Sequence, residues 1–339
     1  MTAIVRTGLL AVVVLAVLAA VGGREGLILL YARYARETPQ PHREIVWQQG
    51  PAQPPAPGEP RPPNIVVILA DDLGFNDVSF YGGGVAGGTV PTPAIDSIGR
   101  DGVNFSAGYA GNATCAPSRA ALMTGRYPTR FGFEFTPAPI GFQRLVGNDH
   151  GEGPWPPVYH ADREILVPDF RALGLPEGVT TIADLLKDAG YHTLHLGKWH
   201  LGEQAHQRPE ARGFDESLGY HSGASLHMRE DDPEAVSVRL DFDPIDRFQW
   251  AGLTNGVRYN GGALFEARGH MTDYLTDQAV AAVRANRNRP FFLYLAYSAP
   301  RTPLQATRAD YDALPQIGDP ALRVYAAMIR QLDRGVGRV

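Results

Sequence analysis

The chain has 339 residues, 44% hydrophobic and 20% charged, which is enough apolar content for a substantial folded core. A formal net charge of -5 lacks the basic surplus that marks nucleic-acid binding, so no nucleic acid partner is expected. One cysteine excludes an internal disulfide framework.

Arg6 precedes an unbroken apolar run from Gly8 to Val21, with Gly22 and Gly23 behind it. A segment apolar on every face at the extreme terminus reads as an export signal, not as a core helix. It is short of the about 20 residues a bilayer span needs, although Ala3-Ile4-Val5 and the two glycines lengthen it. Residues 1–23 are therefore read as a signal peptide or membrane anchor, which implies an exported protein, periplasmic or extracellular, with membrane attachment left open. Residues 24–62 follow as a proline-rich linker. Pro39, Pro41, Pro51, Pro54, Pro55, Pro57, Pro60 and Pro62 favour extended polyproline backbone, so a spacer is expected ahead of a catalytic domain over 63–339.

Asn64-Ile65-Val66-Val67-Ile68-Leu69-Ala70 has the composition of a strand buried on both faces. It runs directly into Asp71 and Asp72, at the carboxyl end where open α/β sheets hold their ligands. Two adjacent acids at such an end favour ligation of a hard cation over a helix cap or a solvated loop. The glycines at 82–84 and 87–88 form a loop without nucleotide-binding spacing. Thr92-Pro93 opens a capped helix, and Val103-Asn104-Phe105 reads as a strand.

Cys115-Ala116-Pro117-Ser118-Arg119 comes next. Pro117 suits a first helical position, and Gly125 suits the helix end. Cys115 then stands beside the positive end of a helix, with the forked cation of Arg119 one turn on, a seat for a tetrahedral oxyanion. By itself, a lone cysteine is more often a small buried hydrophobe.

From Phe133 to Leu173 the pattern is irregular and reads as a loop region at the rim of an active site, where specificity is set. Thr180 to Gly190 is a capped helix, and Tyr191 to Leu196 a strand opening into Gly197-Lys198-Trp199-His200. Lys198 and His200, two apart at a strand terminus, suit a cationic and proton-transferring pair. Met271 to Val283 is helical, Phe291 to Tyr297 is a buried strand, and Tyr325 begins a further helix. Alternating strands and helices predict an α/β protein with a large, mostly parallel sheet flanked by helices on both faces.

Taken together, these motifs resemble the formylglycine-dependent sulfatases, arylsulfatase-like members of the alkaline phosphatase superfamily. The resemblance runs from about Pro63 to Val339. It rests on Cys115-Ala116-Pro117-Ser118-Arg119 with Thr124-Gly125, on Gly190-Tyr191-His192-Thr193 through Gly197-Lys198-Trp199-His200, on Asp71-Asp72-Leu73-Gly74, and on Arg212-Gly213-Phe214-Asp215. It implies that a separate formylglycine-generating enzyme oxidises Cys115 to formylglycine, whose hydrate attacks the sulfate ester. It also implies that Asp71, Asp72 and residue 115 bind a calcium ion. In the same way it makes Cys115, Arg119, Lys198 and His200 catalytic, with Arg119 stabilising the hydrate, Lys198 holding the sulfate and His200 assisting collapse.

Two departures stand out. Where the family carries His-x-Pro after the Phe291 strand, this chain has Arg301-Thr302-Pro303. The family's later Asp-Asn ligands and second lysine have no counterpart before Val339, so a C-terminally incomplete domain is expected. The alternatives are a phosphonate or phosphate ester hydrolase of the same superfamily, and an inactive remnant that only binds sulfated ligands.

Overall fold

The computed structural model describes residues 23–56, 58, 61–148 and 154–339. The apolar run read as an export signal lies outside the described residues. Residues 23–35 are helical, and among the described residues no helix is long and apolar enough to cross a membrane. The chain forms two compact units.

Of the described residues, the smaller unit takes those up to Glu37, those within Ala138–Pro168, and Arg239–Leu253. Its helices Ile140–Gly147 and Pro244–Gly252 meet through the edge-to-face rings of Phe142 and Phe248. Most of the segment expected to be an irregular rim thus belongs to this unit and carries a helix. The apolar residues at 140, 142, 145 and 146 supply the helical periodicity.

The larger unit takes Thr38–Pro137, Asp169–Val238 and Thr254–Val339. Its main sheet has the order β1-β6-β2-β3-β5. The strands are β1 (Ile65–Asp71), β2 (His192–Lys198), β3 (Glu216–Tyr220), β5 (Arg258–Tyr259) and β6 (Phe291–Pro300), parallel except for the short edge strand β5. A separate two-stranded sheet, β4 (Ala235–Val238) and β7 (Leu304–Thr307), is antiparallel. The α/β expectation with a largely parallel sheet holds.

Alternation along the fully buried β6 sends its side chains to two covered faces. Phe292, Tyr294 and Ala296 join a core with Ala116, Ala120 and Met123 of α1 (Cys115–Thr124). On the other face Tyr297 bonds Thr276 of α2 (Met271–Asn286) at 2.7 Å and packs against Gly335 of α3 (Pro320–Arg338).

Several local expectations change. β1 is not sealed on both faces: it ends the sheet among the described residues, and Val66 is 42% exposed. Val103 to Phe105 forms no strand, having no neighbouring strand to complete its ladder, and both Val103 and Phe105 are exposed. Helix α3 starts at Pro320, capped by Asp319, five residues before Tyr325.

Of the residues read as a linker, 24–35 are helical; the proline-rich part from Thr38 on is extended but is not a free spacer at its start. Gln40 exchanges backbone bonds with Leu264 and Glu266, and Gly50 donates to the carbonyl of Ala285. Between them Trp47 is only 3% exposed, donates to Gln278 at 3.0 Å and meets the Tyr259 ring edge-on. One indole supplies the apolar area that the segment's average composition conceals. Trp47→Ala should lower the stability of the protein by about 3–5 kcal/mol in urea unfolding. A midpoint equal to wild type would return this stretch to the status of a spacer.

Candidate active site

Helix α1 begins at Cys115 itself, two residues earlier than Pro117 suggests, with Thr114 as the extended cap residue. Pro117 fits because it still lies among the first four positions, where a backbone N–H has no intrahelical partner. Gly125 closes the helix in the left-handed conformation, donating to Ala121 at 2.8 Å. Ala116 and Ala120 face the core and fix the helix rotation. Cys115, partly exposed, and Arg119 then share one face, four residues apart.

Three cations converge on one carboxylate. Asp71, the last residue of β1, accepts from Arg119 Nη2 at 2.7 Å on Oδ1 and from Lys198 Nζ at 2.7 Å on Oδ2. Arg301, just past β6, places Nε 3.6 Å from Asp71 and 3.4 Å from Asp72. Arg119 also donates to the carbonyl of Lys198 at 3.0 Å and contacts the Tyr294 hydroxyl at 3.3 Å.

Burial alone would raise the Asp71 pKa, but Lys198, Arg119 and Arg301 outweigh it and hold the carboxyl below its ordinary value. The same imbalance acts in reverse on Lys198. Burial, reinforced by the two arginines and only partly opposed by Asp71, brings its ammonium down to about 8. One anion shared among three cations cannot fully compensate each of them.

His200 is buried with a φ of 60°, a conformation a non-glycine residue adopts only under local constraint. Its backbone N–H bonds the His221 carbonyl at 3.2 Å, and a Cβ at Gly223 would strike its ring. Burial, with Lys198, Arg119 and Arg301 adding to it, lowers its pKa well below the ordinary range, so the ring is neutral. Among the described residues, Nδ1 has no hydrogen-bond partner.

One oxygen each of Asp71 and Asp72 and the sulfur of Cys115 lie within 4.8 Å of one another. Two carboxylates suit a hard cation, whereas a thiol does not, so the donor set fits such an ion only if position 115 presents oxygen. Asp72 reaches the group by a left-handed turn, φ 61°, directly after the strand.

The structure therefore unites Asp71, Asp72, Cys115, Arg119 and Lys198, with His200 within the electrostatic reach of the cations. Arg212-Gly213-Phe214-Asp215 plays a structural part instead. Arg212 donates to the carbonyls of Pro176 and Val179, Phe214 lies in the core, and Asp215 pairs with Lys187. Tyr294 escaped sequence reasoning, since within an apolar strand only its hydroxyl hinted at a polar partner.

The family model Sulfatase matches residues 63–339. N-acetylgalactosamine-6-sulfatase of Canis lupus familiaris is 31% identical over 289 residues, 84% of this chain and 47% of that protein. Steryl-sulfatase of Mus musculus is 30% identical, covering 87% of this chain and 50% of its own length. The crystal structure of Ps i-CgsB superposes with a TM-score of 0.61 at 35% identity, covering 81% of this chain and 53% of that one. A related structure holds the same protein in complex with k-i-k-neocarrahexaose. The chain spans about half the length of the curated relatives it matches.

Asp71 and Asp72 should separate in stability. Asp71→Asn leaves two cations buried to 2% and 0% exposure without their carboxylate and should cost about 3–5 kcal/mol in urea unfolding. Asp72, 57% exposed, should change stability by no more than about 0.5 kcal/mol as Asp72→Asn. Equal losses would remove Asp71 from its place as the buried counter-ion.

Proposed function

The chain belongs to the sulfatase family, and from that membership we propose that it hydrolyses a sulfate ester at the cluster built on Asp71, releasing an alcohol and inorganic sulfate. The observation that carries the reading is the placement of position 115: at the start of α1, within 4.8 Å of two carboxylates, and backed by Arg119 one turn on. The mismatch between a thiol and a hard-cation site supports conversion of Cys115 to formylglycine by a formylglycine-generating enzyme. When formed and metal-loaded, the site offers a hydrated aldehyde as nucleophile toward sulfur and a calcium ion that draws charge from the ester oxygens.

This chain's own residues have separable tasks. Asp71 and Asp72 would hold the cation. Arg119 is fixed by Asp71 and the Lys198 carbonyl, so its fork meets an oxyanion without rearranging. Lys198, charged below about pH 8, attracts the sulfate oxygens. His200, held neutral, is able to accept a proton from the nucleophile. The names of the saccharide-directed relatives support a sulfated sugar as the substrate class. Export through the N-terminal apolar run is part of the same proposal.

Mass spectrometry of the matured protein should show the peptide bearing residue 115 with an aldehyde in place of the thiol. Cys115→Ala should abolish sulfate release from an aryl sulfate. An unmodified thiol together with undiminished turnover in Cys115→Ala would refute the nucleophile. Faster turnover of an aryl phosphonate than of the matching aryl sulfate would move the assignment to phosphonate ester hydrolysis.

A further inference from the structure

Arg301 is the outermost of the three cations on Asp71. Its side chain is 13% exposed, against 2% for Arg119 and 0% for Lys198, so it is the one an incoming anion meets first. It sits on the short connection between β6 and β7, and a side chain from outside that connection holds its backbone. The ring of His227, 0% exposed, places Nε2 3.0 Å from the Arg301 carbonyl. A carbonyl only accepts, so Nε2 carries the hydrogen and the neutral tautomer is set.

The far end of the connection is held as firmly. His270 donates from Nε2 to the Gln305 carbonyl at 3.0 Å, and its Nδ1 accepts from Thr272 N–H. The Gln305 side-chain oxygen accepts from the backbone N–H groups of His227 and Met228, at 2.9 and 3.1 Å. The two histidine rings stack with centroids 5.3 Å apart and planes at 16°. Burial, with the neighbouring His270 adding to it, brings His227 down to about 3, so the donor persists at any working pH.

We propose that His227 is a positioning residue that fixes Arg301 at the carboxylates of Asp71 and Asp72, where its guanidinium binds the substrate's anionic group. The proposal rests on the sulfatase reading for the identity of that anion. Nothing in the reaction passes through His227; it acts by holding the carbonyl of the residue whose side chain does the binding.

The test is a double-mutant cycle on the matured protein, read with 4-nitrophenyl sulfate. Arg301→Gln should raise KM about tenfold or more, as expected for loss of a charge-assisted contact, with a smaller change in kcat. His227→Leu should show the same split, and the double variant should be no worse than Arg301→Gln alone. His227→Gln, whose terminal amide N–H takes the place of Nε2–H, should restore KM, while the shorter His227→Asn should not. Should His227→Leu fail to fold, the Gln and Asn variants carry the comparison.

Losses in KM that multiply in the double variant, or Gln and Asn variants that behave alike, would overturn the proposal. If wild type turns over no sulfate ester, the functional reading fails, and calorimetric titration of inorganic sulfate across the same variants decides the role of His227. A wild type that binds no sulfate either would overturn both.

Discussion

The charge on Asp71 is the constraint to which the surrounding structure answers. Its two oxygens are taken by Arg119 and Lys198, and Arg301 stands close behind. Cations buried this deeply are tolerated only with a hydrogen-bonded partner. Yet three positive groups face two carboxylates, and one of these, Asp72, is half in solvent. The surplus is positive before any metal is counted, which is what a site for a divalent oxyanion requires and what a purely structural ion pair would avoid.

That arrangement follows from how the sheet is wound. β1, β6 and β2 are neighbours and run parallel, so Asp71, Arg301 and Lys198 emerge together at one edge. The register of β1 on β6 shifts between Leu69 and Asp71, bringing Asp71 opposite Pro300. Just before Lys198, Gly197 adopts a φ of 102°, and any Cβ there would collide with the Ala296 carbonyl. The close approach of β2 to β6 and the turn that aims Lys198 at Asp71 therefore depend on the same missing side chain.

Much of this was legible in the residue order, and the failures have physical causes. Asp71-Asp72, Cys115 with Arg119, and Lys198 with His200 each follow or open a strongly patterned element, so local chemistry located them. The sheet strands were legible because long apolar runs are distinctive. Exposure at Val66 and the absent strand at Val103 were not, because both depend on whether a neighbouring strand exists. Trp47 was hidden by averaging over prolines. Tyr294 and His227 matter through partners far away in sequence, Arg119 and Arg301 respectively, and no local pattern encodes such a pairing.

Arginine stays protonated in a protein, so Arg119 and Arg301 provide fixed charge and fixed donors. In the proposed reaction, proton movement would fall to groups whose pKa values are displaced. Burial among cations keeps His200 neutral and able to accept, and it brings Lys198 to about 8, where an ammonium still charged at neutrality is able to give its proton up. Both displacements arise from the same excess of positive charge around Asp71. The feature that attracts an anion is thus also the one that tunes the two groups able to move protons beside it.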